Sequence, residues 1–186
     1  MALTAGASVA VFGGQASGTS APSALLAAAP GSADRVLGAD GSVPDGVTVF
    51  ESEVPAVANL DGDLLAAVRQ AAADAADDGI TFFVNSGWRS AEYQDRLLRE
   101  AVAEYGSADE AARWVATPDT SPHVEGKAID LGQSDATAWL SEHGAAYGLC
   151  QIYANEPWHY ERRHDAIEAG CPAMYADPTA DPRMQR

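Results

Sequence analysis

The sequence predicts an α+β fold: a small antiparallel sheet flanked by helices, in a single domain behind a flexible, low-complexity N-terminal segment. Three observations predict it. Short β-branched and aromatic runs are mixed with stretches of helical periodicity. The two kinds do not follow the regular strand–helix–strand alternation that builds a parallel sheet. Two of the strand-like runs, Leu149–Tyr153 and Trp158–Glu161, are joined by only Ala154–Pro157, which suits an antiparallel pair.

Each element has a local reason. Residues 1–46 are dominated by Ala, Gly, Ser and Pro, with no basic residue before Arg35, and read as a leader remnant or linker without a core of its own. The mildly apolar start lacks the charged region of a secretory signal. Order is expected from Val47, where Val47–Phe50 alternates like a short strand. Asp61 is placed to cap a helix with Leu64, Leu65, Val68, Ala71, Ala72 and Ala75 inward, closed by Gly79. Thr81–Val84 reads as a buried strand emptying into the turn Asn85–Ser90. Ser90 caps the next helix, with Tyr93, Leu97, Leu98, Ala101 and Val102 inward and Gly106 as its stop. Ser107 caps another, reaching Val115.

The stretch Thr117–Gly126 holds two prolines and reads as a loop, Lys127–Leu131 as a strand, and Asp135–Tyr147 as a helix closed by Gly148. After the Leu149–Tyr153 and Trp158–Glu161 pair, a short helix is expected over Arg163–Ala169. The domain is thus placed at residues 47–172, with a C-terminal tail at 173–186.

A length of 186 residues fits one domain, and 47% hydrophobic against 20% charged residues permits a core. The net charge of −16 repels phosphates, which argues against nucleic acid as a partner and against docking on anionic lipid. No apolar run is long enough to cross a bilayer, so no transmembrane segment is expected, and a monomer is. Cys150 and Cys171 are too few for a metal cluster; they form one disulfide or two separate thiols, and their distance in space decides.

The chemistry concentrates in two stretches, Ser121–Asp130 and Asn155–Glu161. They supply two imidazoles and a carboxylate, His123, Asp130 and His159, in the ligand chemistry zinc takes; three protein ligands leave a fourth position open, as in catalytic sites. Gly126 gives the loop between His123 and Asp130 its backbone freedom. Asp130 stands between Ile129 and Leu131, so it faces water on the alternate side of its strand or is held by a cation. Glu156, three residues before His159, is placed to act as a base on water. Glu161 competes for that role, or is a surface partner of Arg162 or Arg163. Arg89, on a strand-end loop, offers a fork of donors to a carboxylate or a developing oxyanion. Trp88 and Trp158 are pocket walls or core aromatics, with Trp158 expected behind the ligands. Ser121 has neither an adjacent base nor a Gly-x-Ser-x-Gly context, which rejects it as a nucleophile. His143 and His164 are expected at the surface.

Taken together, Ser86-Gly-Trp-Arg-Ser90 with Tyr93-Gln94, then Ser121-x-His123-x-x-Gly126-x-Ala128-x-Asp130, then Glu156-Pro-Trp-His159 resemble the VanY-type zinc D,D-carboxypeptidases, relatives of the VanX D-Ala-D-Ala dipeptidase. The resemblance runs from about Val47 to Glu161. It implies zinc held by His123, Asp130 and His159, Glu156 as catalytic base, and Arg89 as the group that steadies the reacting oxyanion or the terminal carboxylate. It also implies substrate contacts from Ser121, with Trp88 and Gln94 beside them. The implied partner is a peptidoglycan stem peptide ending in D-Ala-D-Ala, trimmed by one D-alanine outside the cytoplasmic membrane, a location that suits a Cys150–Cys171 disulfide. The competing readings are an endopeptidase or D,D-dipeptidase of the same clan, an inert wall-binding module, and a structural zinc domain. The last needs a fourth protein ligand, and no cysteine or further histidine lies close in sequence to supply one.

Overall fold

The computed structural model describes residues 38–185; most of the segment expected over 1–46 lies outside the described residues. Ten elements follow in order: α1 (Pro55–Ala58), α2 (Gly62–Asp77), β1 (Phe83–Ser86), α3 (Ala91–Tyr105), α4 (Ala108–Ala111), β2 (Ala128–Gly132), α5 (Ser134–His143), β3 (Leu149–Gln151), β4 (His159–Arg162) and α6 (Ala166–Ala169). The four strands make one antiparallel sheet in the order β1-β2-β4-β3. The α+β expectation holds, with a single sheet among helices.

One face of the sheet carries the core. Leu64, Val68 and Ala72 of α2 and Trp139 and Leu140 of α5 join Val84, Ile129, Leu131 and Tyr160 from the strands in one buried cluster. Burying such side chains stabilises the fold by roughly 1.5–3 kcal/mol for each large one. Because neighbouring residues of a strand point to opposite faces, Ile129 and Leu131 commit Asp130 to the other side. There the register sets Asp130 opposite His159 on β4, and Ser86 of β1 opposite Asp130. All of β2 is buried, since both faces are covered. The caps are as the sequence implies. The Asp61 carboxylate accepts from the N–H of Asp63 and Leu64, and the Ser90 hydroxyl from that of Tyr93. Gly106 closes α3 in the left-handed region, at φ 81°.

Several elements differ from expectation for local reasons. Val47–Phe50 is not a strand: Thr48 makes one isolated bridge to Phe83, and Glu51 accepts from both the N–H and the hydroxyl of Thr48, curling the chain into a turn. The packed unit also reaches upstream of Val47, where the Asp40 carbonyl accepts from Ser90 N and the Asp40 carboxylate holds Arg96. β1 starts two residues later than Thr81, since Phe82 is already turned into the core at 1% exposure. α3 buries only Gln94 and Ala101 fully, because it borders a cleft rather than the core. α4 and α6 are single turns, the Asp135–Tyr147 helix breaks into α5 and a 3-10 turn at Gly144–Tyr147, and β3 ends at Gln151.

The segment expected as a C-terminal tail folds back onto the sheet. Tyr175 bridges Tyr153, the Tyr175 N–H donates to Ile152 O at 2.9 Å, and Asp181 is fully buried. A Cys150–Cys171 disulfide ties its start to β3, with the Cα atoms 5.5 Å apart.

Candidate metal centre and active-site cleft

The loop 117–126 is built to hand His123 to the sheet. The Thr117 carbonyl accepts from Ser121 N, the His123 carbonyl from Gly126 N, and the Gly126 carbonyl from Asp61 N at 2.8 Å, which fastens the loop to the head of α2. Gly126 sits at φ 71°, and a Cβ there would stand 2.5 Å from Asn59 O, so the turn requires glycine on two counts. His123 thereby reaches the Asp130–His159 pair.

The three side chains converge. His123 Nε2 is 3.2 Å from His159 Nδ1 and 3.4 Å from Asp130 Oδ1, and His159 Nδ1 is 3.1 Å from the same oxygen. Ligands of a tetrahedral zinc with bonds of about 2.0–2.1 Å stand roughly 3.3–3.4 Å apart. The spacing therefore fits a single ion of that size, and all three residues are buried. Both imidazoles are turned by their far nitrogens. His123 Nδ1 donates to Gly87 O at 2.8 Å, and His159 Nε2 faces Glu161 Oε1 at 3.3 Å, so the lone pairs of His123 Nε2 and His159 Nδ1 point at the same spot.

Charge follows the same plan. Burial pulls the His123 imidazole below its ordinary pKa, keeping it neutral. Burial opposes ionisation of Asp130, yet His123, His159 and Arg89 outweigh it and hold this carboxyl well below the usual carboxylate range. For His159, burial is outweighed by hydrogen bonds to Asp130 and Glu161, which push it up to about 9 before any cation competes for its lone pair. A cation displaces that proton, as metal binding to histidine generally does.

Arg89 is held rather than free. Its Nε donates to Ser86 Oγ at 2.7 Å, Nη1 to Gln94 Oε1 at 3.1 Å, and Nη2 to Asp130 Oδ2 at 2.8 Å. Those bonds leave two of the guanidinium's five N–H groups for the cleft. Gln94, 1% exposed in the cleft lining, donates one amide N–H to Ala116 O at 2.9 Å and accepts Arg89 Nη1 on its carbonyl, so it aims Arg89.

Glu156 sits across the site in the turn before β4, with Oε2 3.7 Å from His159 Nδ1 and Oε1 buried without a partner. Burial is the main reason its carboxyl rises to about 7. Ser121 Oγ, in the lining of the same cleft, is likewise buried and unpartnered. These groups close the deep end of a cleft of about 410 Å³ whose outer walls include Trp158, Tyr105 and Trp114.

Two aromatic expectations change. Trp158 stands on the turn before β4, 38% exposed, and walls the cleft instead of packing behind the ligands. Trp88 does not line the cleft; its backbone N–H ties to Ala56 O at 2.8 Å, and its neighbour Arg89 takes the inward direction. Glu161 is a correction as well. It shares the face of His159, as strand spacing allows, but lies behind the imidazole and outside this cleft. Burial would raise its carboxyl, but His159 and Arg183 bring it down to about 2. It is not a base on the open side; the expected pairing with Arg163 is made, at 2.9 Å, but from a buried carboxylate rather than a surface one. His143 and His164 are exposed, as expected. Sequence reasoning missed the Gly87 carbonyl, which carries no side-chain signal, and Arg183, which lies 22 residues from the Glu161 carboxylate it holds.

Residues 58–163 match the sequence model of the family described as VanY: D-alanyl-D-alanine carboxypeptidase. The chain belongs to the VanY family. A curated relative, a D-alanyl-D-alanine carboxypeptidase of Enterococcus faecalis (strain ATCC 700802 / V583), is 34% identical over 117 residues, covering 50% of this chain and 43% of that protein. The chain thus spans less than half of that relative's length. A zinc-bound glutamate-to-alanine variant of the vancomycin-resistance D,D-pentapeptidase VanY is 29% identical, with a TM-score of 0.54 over 60% of this chain and 75% of that one. VanYB in complex with D-alanine-D-alanine gives 29% identity and a TM-score of 0.55 over 60% and 74%. The L,D-carboxypeptidase DacB from Streptococcus pneumoniae gives 26% and 0.51 over 60% and 71%. The VanY match ends at Arg163, before the segment that folds back over the sheet.

Proposed function

We propose that this VanY-family protein is a zinc-dependent D,D-carboxypeptidase that removes the terminal D-alanine from peptidoglycan stem peptides. The observation that carries it is the convergence of His123, Asp130 and His159 at tetrahedral spacing, with the buried Glu156 carboxylate beside them, its Oε2 3.7 Å from His159 Nδ1.

The three ligand side chains would hold the ion; when bound, zinc supplies Lewis acidity to the scissile carbonyl and acidifies water beside it. Glu156 accepts the proton of the attacking water. Its pKa near 7 makes that transfer efficient at neutral pH and lets the same carboxyl return the proton to the leaving amine of D-alanine. The free N–H groups of Arg89, on a guanidinium fixed by Ser86, Gln94 and Asp130, steady negative charge on the substrate, and need no rearrangement to do so. Ser121 Oγ, buried without a partner, donates to or accepts from the bound peptide. Trp158 shields the reacting end from bulk water.

An extracytoplasmic site of action is part of this reading, and the Cys150–Cys171 disulfide supports it because such bonds persist in oxidising compartments. The likeness to an L,D-carboxypeptidase of comparable TM-score favours one competing reading, cleavage behind an L-centre. The two separate on substrate. A stem pentapeptide ending in D-Ala-D-Ala should lose one D-alanine, whereas a tetrapeptide whose terminal D-alanine follows an L-centre should be left largely intact. Faster release from the tetrapeptide would reverse the assignment.

A further inference from the structure

The segment beyond the family match does more than cover the sheet. Arg183 lays its guanidinium across the carboxylate of Glu161, Nη1 to Oε2 at 2.7 Å and Nη2 to Oε1 at 3.1 Å, while Glu161 Oε1 faces His159 Nε2 at 3.3 Å. Arg183 is itself held by the fully buried Asp181, which takes Nε at 2.9 Å and also Nη2, and Asp181 accepts from the Tyr153 hydroxyl at 3.0 Å. The Tyr153 ring lies against the His159 ring, with centroids 5.1 Å apart. A closed circuit therefore runs from His159 through Glu161, Arg183, Asp181 and Tyr153 back to His159.

We infer that Arg183 is a positioning residue of the metal centre. Delivered by the C-terminal segment, it fixes Glu161 and through it the orientation of the His159 ring. Three observations support this. The fork is bidentate, and a bidentate guanidinium restrains the plane of a carboxylate where a single contact does not. Glu161 is 2% exposed, so no bulk water can take over its orientation. Its other cation, Arg163, makes a single contact of 2.9 Å from Nη2, without a fork. Groups that orient a metal-ligating histidine typically matter by about 10–100-fold in metal affinity. The segment is anchored independently of this fork, by the Cys150–Cys171 disulfide, the Tyr175–Ile152 hydrogen bond and the Arg113–Asp177 ion pair. Its docking and its action on Glu161 can therefore be separated.

The inference rests on the metal-site reading, and its test is read on metal rather than on substrate. Zinc affinity is measured by competition with a chromophoric chelator, and the site is probed by the visible spectrum of the cobalt-loaded protein. This is done for the wild type, Arg183→Leu, Arg183→Lys and Arg113→Ala. The expected result is an affinity loss of about 10–100-fold with a changed cobalt spectrum in Arg183→Leu. Arg183→Lys, which keeps charge but loses the fork, should fall between Arg183→Leu and wild type. Arg113→Ala should match wild type on both readouts even if its melting point falls. If Arg183→Leu does not fold, Arg183→Lys against Arg113→Ala decides. Arginine variants with wild-type affinity and spectrum overturn the inference and leave the metal site standing. A wild type that binds no zinc overturns both.

Discussion

Replacing Glu156 by glutamine removes a charge and breaks no hydrogen bond. Its Oε1 has no partner, and Oε2 lies 3.7 Å from His159 Nδ1, beyond hydrogen-bond reach. Glutamine matches the carboxylate in shape, so fold and metal should both survive. The catalytic loss should then be that of a general base alone, about 10²–10⁴-fold in kcat. At 1.36 kcal/mol per tenfold this is roughly 3–5 kcal/mol of barrier. KM should barely move, because the base acts on water rather than on bound peptide. The sign of the stability effect is also set. A carboxyl raised from its ordinary 4.5 to about 7 opposes folding at any pH above the unfolded value, so the metal-free Glu156→Gln protein should melt no lower than wild type at pH 8. The assay is D-alanine release under saturating peptide, with zinc content measured on the same sample. Retention of kcat within tenfold would refute the base assignment. Loss of zinc would make Glu156 a ligand and refute the three-ligand account.

Two further predictions test the scaffold. Gly126→Ala should lose more than about 2 kcal/mol, since a left-handed alanine costs about 1–2 kcal/mol and its Cβ would also meet Asn59 O at 2.5 Å, whereas Gly46→Ala, at φ 81° with open space around it, should lose the backbone cost alone; thermal melts of both variants check this. Asp177, held below its ordinary 3.8 chiefly by Thr179 and also by Arg113, contributes stability that is present above the unfolded value and lost as pH falls through and below it; Asp177→Asn should therefore flatten the acid limb of melting point against pH between about 5 and 3.

Much of the site was legible because its chemistry is locally encoded. His123, Gly126 and Asp130 fall within one loop and strand, and Glu156 and His159 within one turn, so residue type and spacing made them candidates and the family resemblance those motifs carry assigned their roles. The helix caps at Asp61 and Ser90 were legible for the same reason. Most of what failed depends on contacts distant in sequence, and one failure on a competing side chain three residues away. Val47–Phe50 has strand composition but only one bridging partner, and the Glu51 side chain won the competition for Thr48. Leu97 and Leu98 have the spacing of a core face, yet α3 borders a cleft and leaves them half-buried. Glu161 could be placed on the face of His159 by strand alternation, but its role depends on Arg183, 22 residues away in a proline-rich stretch whose composition suggests no structure. Trp88 and Trp158 exchanged expectations because an aromatic residue at a loop has no periodicity to say which way it faces.

The central claim is that His123, Asp130 and His159 hold one catalytic zinc that Glu156 serves. Its most direct test measures D-alanine release from a stem pentapeptide ending in D-Ala-D-Ala before chelation, after chelation, and during stepwise zinc addition. The account predicts that chelation abolishes release and that activity returns in proportion to zinc, saturating at one ion per chain. Release that survives complete removal of metal, or that returns only with a second ion, would contradict it.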